Sequence, residues 1–326
     1  MVLFWLNRIC LVINLVHNVV QSTKEALKIL SVTSDTLSSE QRAGLDRDGF
    51  CLIEFSQQEW KERGVDLDKI SSTVDDLIEK EGWKGGWEHI SETMVKGVHP
   101  EPGSQRLNNL LNKGSCFSKI FTIPEVLDAS YSFIKNDMCL SSMILRAPQP
   151  NNERQKLHID WVPRKKESDP YRSVVCTILL DDATKESGAT RFVPGSHKLL
   201  GAPSDHGYGN KGPHPEEKLL EAPRGSFLMY SAHLWHGGTE CKNGKPRRQI
   251  FINYRDRKVW QSLNMKKFLS LEYTEGLNEA EKYLLKIRPE DPSQMEWLFK
   301  RRNNKLVKVM SNFLWNLRDK KHILSS

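Results

Sequence analysis

Between Ser142 and Tyr254 the chain reads as a series of short strand-like runs, Ser142–Arg146, Leu157–Val162, Ser173–Leu180, Arg191–Val193, Ser226–Tyr230 and Gln249–Tyr254, separated by turn-rich segments. Short strands so arranged point to a jelly roll, the cupin-like double-stranded β-helix. Two helical patterns precede them. Asp66–Glu81 carries Ile70, Val74, Leu77 and Ile78 on one face behind an Asp66 cap, and Pro124–Lys135 opens on proline and places Val126, Leu127, Tyr131 and Ile134 at helical spacing. The expectation is a mainly β core buttressed by flanking α-helices.

The second of those runs contains His158-Ile159-Asp160. In an extended strand, residues i and i+2 face the same way, so both polar side chains can grip one ion while Ile159 faces away. Two imidazoles and one carboxylate form the facial triad of a non-haem Fe(II) site, which leaves half of an octahedral metal open. A third ligand has to come from elsewhere. His236 follows the apolar run Phe227–Tyr230 and precedes Gly237 and Gly238, glycines that let backbone approach a bound molecule closely. His233 competes with it. The two positions differ by an odd number, so in an extended segment only one of them faces the metal; the glycine context favours His236. Taken alone, a His-x-Asp triplet is common and a histidine at a strand end is more often a hydrogen-bonded surface or core residue.

The surrounding segments add weight. Between the half-sites lie Leu179-Leu180-Asp181-Asp182 and Glu186-Ser187-Gly188, followed by Val193-Pro194-Gly195-Ser196-His197-Lys198. Pro223-Arg224-Gly225-Ser226-Phe227 precedes His236, Pro246-Arg247 precedes Ile250–Tyr254, and Asp46-Arg47-Asp48-Gly49-Phe50 stands far upstream. In order and spacing these segments resemble the phytanoyl-CoA dioxygenase family of Fe(II)- and 2-oxoglutarate-dependent oxygenases, from Leu45 to Arg257. The resemblance implies the jelly-roll fold, Fe(2+) as cofactor, and 2-oxoglutarate and O2 as cosubstrates. It implies His158, Asp160 and His236 as the metal-holding, catalytic set, leaving two iron positions for the keto acid and one for dioxygen.

It further implies that Arg247 pairs with the distal carboxylate of 2-oxoglutarate, a bidentate geometry that a guanidinium matches and an ammonium does not. Arg248 is the near rival, since a strand exposes only one of two adjacent residues to a pocket. Two positions depart from the family pattern: Gly238 stands where a small hydroxyl residue is common, and Cys241 where asparagine is. On this reading the hydroxyl's contact with the cosubstrate passes to Thr239 or Thr177. Retained Asp160 separates the chain from the related halogenases, so the implied reaction is hydroxylation of an unactivated carbon with release of succinate and CO2. His197 falls in what is a structural turn in relatives, and Pro194-Gly195-Ser196 is turn chemistry in its own right.

Charged and apolar fractions of 27% and 38% are those of an ordinary globular chain rather than a disordered or membrane-embedded one. The six cysteines form no Cys-x-x-Cys pair, which suggests neither a zinc site nor a disulfide framework and fits a reducing, cytoplasmic setting. Much of the formal charge of +7 lies between Lys300 and Lys321, where Leu306, Val309, Met310, Phe313, Leu314 and Leu317 follow helical spacing. That stripe is expected to dock on the barrel or a partner, with a solvated basic face, which argues against nucleic acid as the partner.

At the other end, the apolar run from Met1 to Val20 is broken by Asn7, Arg8, Asn14, His17 and Asn18, and meets the requirements of neither a spanning helix nor a signal peptide well. A docked or interfacial helix is expected, which leaves membrane contact open, beside a secretory or anchoring signal and a translation start placed too early. The organisation expected is therefore a helical, apolar extension over 1–44, an oxygenase domain over 45–257 and a basic helical extension over 258–326. The glycine- and proline-rich stretch Leu200–Pro215 reads as a long loop over one end of the barrel.

A small or medium organic molecule is the expected substrate, and fold alone does not specify it. Trp161, beside Asp160, and Arg146, one strand earlier, are the candidate substrate contacts; their bland readings are core packing and a surface ion pair. Two other functions compete: a barrel that binds a metabolite or partner without turnover, and a basic nucleic-acid demethylase.

Overall fold

The computed structural model describes residues 20–81, 103–150, 152–210, 212–245, 247–289 and 291. The apolar run before Val20 and the basic helical pattern after Lys300 lie outside those residues. Helices α1 (Thr23–Ile29), α2 (Ser39–Asp48), α3 (Gln57–Glu62), α4 (Leu67–Glu81) and α5 (Pro124–Ile134) surround or precede the strands, and α6 (Met265–Phe268), α7 (Leu271–Glu275) and α8 (Glu279–Leu285) follow them. No helix among the described residues is long and apolar enough to cross a membrane.

The strands are β1 (Phe50–Glu54), β2 (Ser104–Leu107), β3 (Met138–Pro148), β4 (Ser173–Leu179), β5 (Thr190–Phe192), β6 (Lys218–Leu219), β7 (Ser226–Ser231), β8 (His236–Gly238) and β9 (Gln249–Asp256). They form two antiparallel sheets, a large one in the order β1-β7-β4-β9-β3-β2 and a small one in the order β6-β5-β8. Apart from the β2-β3 and β5-β6 pairs, neighbours in both sheets are non-consecutive in the chain, the signature of a jelly roll.

Alternation sorts the side chains of the large sheet. Val174, Cys176 and Ile178 of β4, Phe227 and Met229 of β7, and Ile250, Ile252 and Tyr254 of β9 face the helices and join one apolar core. Val175, Leu228, Tyr230 and Phe251 face the small sheet, where they pack with Phe192. On β3 the parity changes: Met138 and Leu140 face the helices, then Met143 and Leu145 do, because a bulge between Leu140 and Ser142 inserts one residue. That shift turns Ser142, Ile144 and Arg146 toward the barrel interior.

Helix α5 packs on β4, β7 and β9, opening with Pro124 at its first turn. Helix α4 starts behind Asp66, whose Oδ1 accepts from the Asp68 and Lys69 amides at 3.0 Å each. The flanks are tied to the barrel: α1 packs on α8, and the Met138 amide donates to Thr23 Oγ1 at 2.8 Å. The buried Trp60 of α3 donates from Nε1 to Gly225 O at 2.8 Å, holding the turn that feeds β7.

The expected strand over Leu157–Val162 is a correction. This segment is extended but pairs only as an isolated bridge between His158 and His236, because the chain leaves the sheet at Trp161 for the Pro163-containing loop, where proline offers no donor. The Leu200–Pro215 stretch packs along the small sheet rather than arching free: His206, Tyr208 and His214 gather around the buried Trp235 ring, with centroids 5.0, 6.2 and 6.0 Å away.

Candidate metal centre

One rung of backbone builds the centre. His158 N donates to His236 O at 2.9 Å and His236 N returns a bond to His158 O at 3.0 Å, so the two imidazoles stand opposite each other with centroids 4.3 Å apart. Asp160 N donates to Ala232 O at 2.8 Å, which keeps the segment extended long enough to put the carboxylate on the same side. One donor atom from each of His158, Asp160 and His236 lies within 4.8 Å of the others. Asp160 Oδ1 is 3.7 Å from His158 Nε2, and its Oδ2 is 3.3 Å from His236 Nε2.

The other ring nitrogens fix the tautomers. His158 Nδ1 is 3.0 Å from Lys156 O and His236 Nδ1 is 2.8 Å from Leu234 O. A carbonyl accepts only, so both Nδ1 atoms carry a proton and Nε2 is the nitrogen that each ring turns to the centre. Phe192 stacks on His236 and Tyr230 meets it edge-on, at 5.9 and 5.1 Å. His236 is accordingly buried, whereas the side chains of His158 and Asp160 keep 37% and 38% of their surface on the open side.

Electrostatics agree with a cation site. Burial, then the neighbouring His236, pushes His158 down to about 4. Burial works against ionised Asp160, but the charges and hydrogen bonding of His236, with His158 and Arg146, hold its carboxyl well below the usual range. Burial likewise opposes charge on His236, and Asp160 outweighs it to raise that imidazole. Two histidines around an ionised carboxylate, with tautomers fixed from behind, are a donor set suited to a divalent transition metal.

His233 faces away. It is buried, 5.5 Å from Tyr171, and held near 4 by burial, with Arg164 adding to the effect. His197 is also apart from the cluster, packed beside Phe133 and Tyr171 and against Gly49.

The adjacent arginines separate cleanly. Arg248 points outward to Asp181, with bonds of 3.0 and 2.7 Å, and to Asp75 at 2.7 Å. Arg247 keeps the inward phase of Gln249, Phe251 and Asn253; it is 2% exposed, and its Nε and Nη1 have no hydrogen-bond partner. Burial and then Arg146 push it down to about 10. Thr177, on the inner face of β4, has a buried Oγ1 without a partner, whereas Thr239 Oγ1 donates to Ala189 O at 2.7 Å. At Gly238 the space of the family's small hydroxyl is taken by Gln155, whose Oε1 accepts from Gly238 N at 2.7 Å and would lie 3.0 Å from an added Cβ.

Sequence reading passed over several neighbours. Tyr230 was legible only as part of an apolar run, yet it walls the centre. Arg255 occupies the last inward position of β9, a place that alternation with Ile250, Ile252 and Tyr254 marks as facing away from the helices. Arg255 sits 4.8 Å over the Trp161 ring, and Trp161 in turn lies 5.5 Å from Trp260. Arg146 faces the interior, where its charge acts on the centre and on Arg247.

Fold and cluster together define a cupin-like jelly-roll protein with a two-histidine, one-carboxylate centre. Residues 45–249 match the phytanoyl-CoA dioxygenase (PhyH) family, and the chain belongs to it. It is 27% identical over 157 residues to dioxygenase trt7 of Aspergillus terreus, covering 45% of this chain and 52% of that one. It is 26% identical over 196 residues to dioxygenase olcK of Penicillium canescens, covering 57% and 61%. The chain thus spans about half to three fifths of the length of these relatives. In fold it is similar to HygX from Streptomyces hygroscopicus, solved with nickel and 2-oxoglutarate bound, at a TM-score of 0.52 and 16% identity over 69% of this chain and 89% of that one.

Proposed function

We propose that the protein is an Fe(II)/2-oxoglutarate-dependent dioxygenase that hydroxylates a carbon of a small or medium organic molecule. The observation that carries this reading is the convergence of His158 Nε2, His236 Nε2 and an Asp160 carboxylate oxygen within 4.8 Å, on the inner side of a jelly roll. These three side chains fit a divalent iron. The buried, unpartnered Nε and Nη1 of Arg247 and the unpartnered Thr177 hydroxyl fit the distal carboxylate of 2-oxoglutarate. When bound, iron with 2-oxoglutarate and dioxygen supplies the oxidative chemistry, with succinate and carbon dioxide as co-products.

The chain's own work is positioning. His158 and Asp160 hold their donors on one extended segment and His236 holds its donor on β8, so these three side chains would hold the metal from one side. Lys156 O and Leu234 O engage the two Nδ1 atoms and so leave Nε2 of each ring as the nitrogen that would hold the metal. Phe192 and Tyr230 exclude water behind His236. Arg247 orients the cosubstrate from the far end of β9, and Arg248, spent on Asp181 and Asp75, takes no part.

The test is a screen of candidate metabolites scored by substrate-dependent succinate release, with turnover in the absence of substrate subtracted. His236→Ala and Asp160→Ala are expected to abolish release. Release that survives in both variants contradicts the reading, as does metal binding without succinate from any substrate, the behaviour of a non-catalytic barrel.

A further inference from the structure

The barrel end at which β7 and β9 finish and β4 begins carries a cavity of about 460 Å3, walled by Trp161, Val162, Pro170, His233, Val259 and Trp260. This is a volume that takes a drug-sized organic molecule. Trp161 follows Asp160 directly, so the cavity abuts the metal centre through one residue. His233 is 4% exposed and its Nδ1 has no partner, and Arg164, Asp169, Arg172 and Lys258 complete the polar part of the wall.

Arg255, on the inward phase of β9, adjoins the cavity through Trp161 and Trp260, which line it. Its guanidinium lies over Trp161, its Nη1 reaches only Trp260 O at 3.5 Å, and its buried Nε has no partner. No carboxylate among the described residues pairs with it. The neighbouring arginines differ: Arg172 holds Asp256 at 2.6 Å and Arg257 holds Asp291. Asp160 acts on Arg255 through its charge alone.

The cosubstrate does not explain this cation. Arg247 precedes the first residue of β9 and Arg255 is near its end; the strand from Gln249 to Arg255 spans about 20 Å at roughly 3.3 Å per residue. A five-carbon dicarboxylate held by Arg247 cannot reach across that distance. Arg255 therefore calls for a second anion. Of the other cations on the cavity wall, Arg172 is paired with Asp256, Arg164 is bonded to Asp169 O and the Tyr171 hydroxyl, and Lys258 has contacts of its own; the guanidinium of Arg255 alone matches one carboxylate, whereas a phosphate dianion draws on more than one cation.

We propose that the substrate is a ring-bearing carboxylic acid, its carboxylate held by Arg255 and its planar ring packed on Trp161 and Trp260, with the remainder of the molecule in the cavity beside His233. Calling the ligand a substrate rests on the oxygenase reading above. The binding itself does not need iron.

The test uses 2-naphthoate as probe, with 2-naphthamide as the uncharged control of the same shape. Each is titrated into the metal-free full-length protein and followed by tryptophan fluorescence. The acid is expected to quench saturably and to bind about 10- to 100-fold tighter than the amide, the size of a charge-assisted bidentate pair. Arg255→Gln should erase that preference while leaving amide affinity unchanged, Arg255→Lys should retain part of it, and Arg247→Gln should leave it whole. Trp260→Leu should weaken both probes. Circular dichroism confirms that each variant is folded.

No saturable binding of the acid, equal affinity for acid and amide, or a preference that survives Arg255→Gln overturns the proposal. So does equal loss of both probes in Arg255→Gln, the result expected if this residue only braces Trp161. Failure of the oxygenase reading would look different: probe binding intact, and no iron–2-oxoglutarate spectrum.

Discussion

Replacing Arg247 by methionine is expected to stabilise the ligand-free protein and to cripple its hold on 2-oxoglutarate. The guanidinium is 2% exposed, with two donors that find no acceptor. Burial, then Arg146, holds it at about 10 against an ordinary 12.5. At about 1.4 kcal/mol per pH unit this corresponds to about 3 kcal/mol against the charged form. Methionine fills most of the same volume without the charge, and part of that penalty is offset by lost packing of the guanidinium. The net gain should be about 1 to 2 kcal/mol, a rise in melting temperature of roughly 2 to 6 °C. With the cosubstrate the sign reverses: losing a charge-assisted pair of about 2 to 3 kcal/mol weakens binding about 30- to 150-fold. Scanning calorimetry of the metal-free protein and anaerobic titration of 2-oxoglutarate into the Fe(II)-loaded protein read the two effects. A variant that melts lower yet binds 2-oxoglutarate as tightly would show Arg247 to be a structural cation and refute the reasoning.

Gly49 closes α2 at φ +84°, and a Cβ there would run into the His197 ring; Gly49→Ala should cost about 2 kcal/mol or more in urea unfolding, combining left-handed strain with a clash. Trp60→Phe leaves the Gly225 carbonyl without its buried 2.8 Å donor and should cost about 1 to 3 kcal/mol by the same measurement. His197 and His233 are buried and held near 4, below the ordinary 6.5, chiefly by that burial. Above 6.5 both are neutral in either state and stability is full. As pH falls toward 4 the unfolded chain takes up protons first, so stability should drop by up to about 1.4 kcal/mol per pH unit for each histidine. Urea midpoints compared across this range check the slope, which His233→Gln should reduce; an unchanged slope counts against the assignment.

The longer strands were legible because Ser173–Leu179 and Ser226–Ser231 are near-continuous apolar runs bounded by turn residues, and Gln249–Asp256 alternates with period two. The three-residue β5 was legible as the run Arg191–Val193, whereas β8 has three residues and β6 two, and both exist because opposing segments supply partners, a nonlocal fact that spacing does not carry. The same limit explains Leu157–Val162, where local pattern suits a strand and the ladder provides one rung. His158 and Asp160 share a face by local geometry, but choosing His236 over His233 depends on which carbonyl the opposite segment offers. Arg247 and Arg248 are equivalent in sequence, and only Asp181 and Asp75 on the outer side of β9 separate them. Arg255 escaped notice because its significance is a missing partner, and a sequence does not display missing partners.

The central claim is that His158, Asp160 and His236 hold one iron that 2-oxoglutarate then chelates, and anaerobic visible spectroscopy tests it directly. Fe(II) added with 2-oxoglutarate to the wild-type protein should produce the weak metal-to-ligand charge-transfer band of the chelate, and His158→Ala should abolish it. No band with the wild type, or an undiminished band in His158→Ala, would contradict the account.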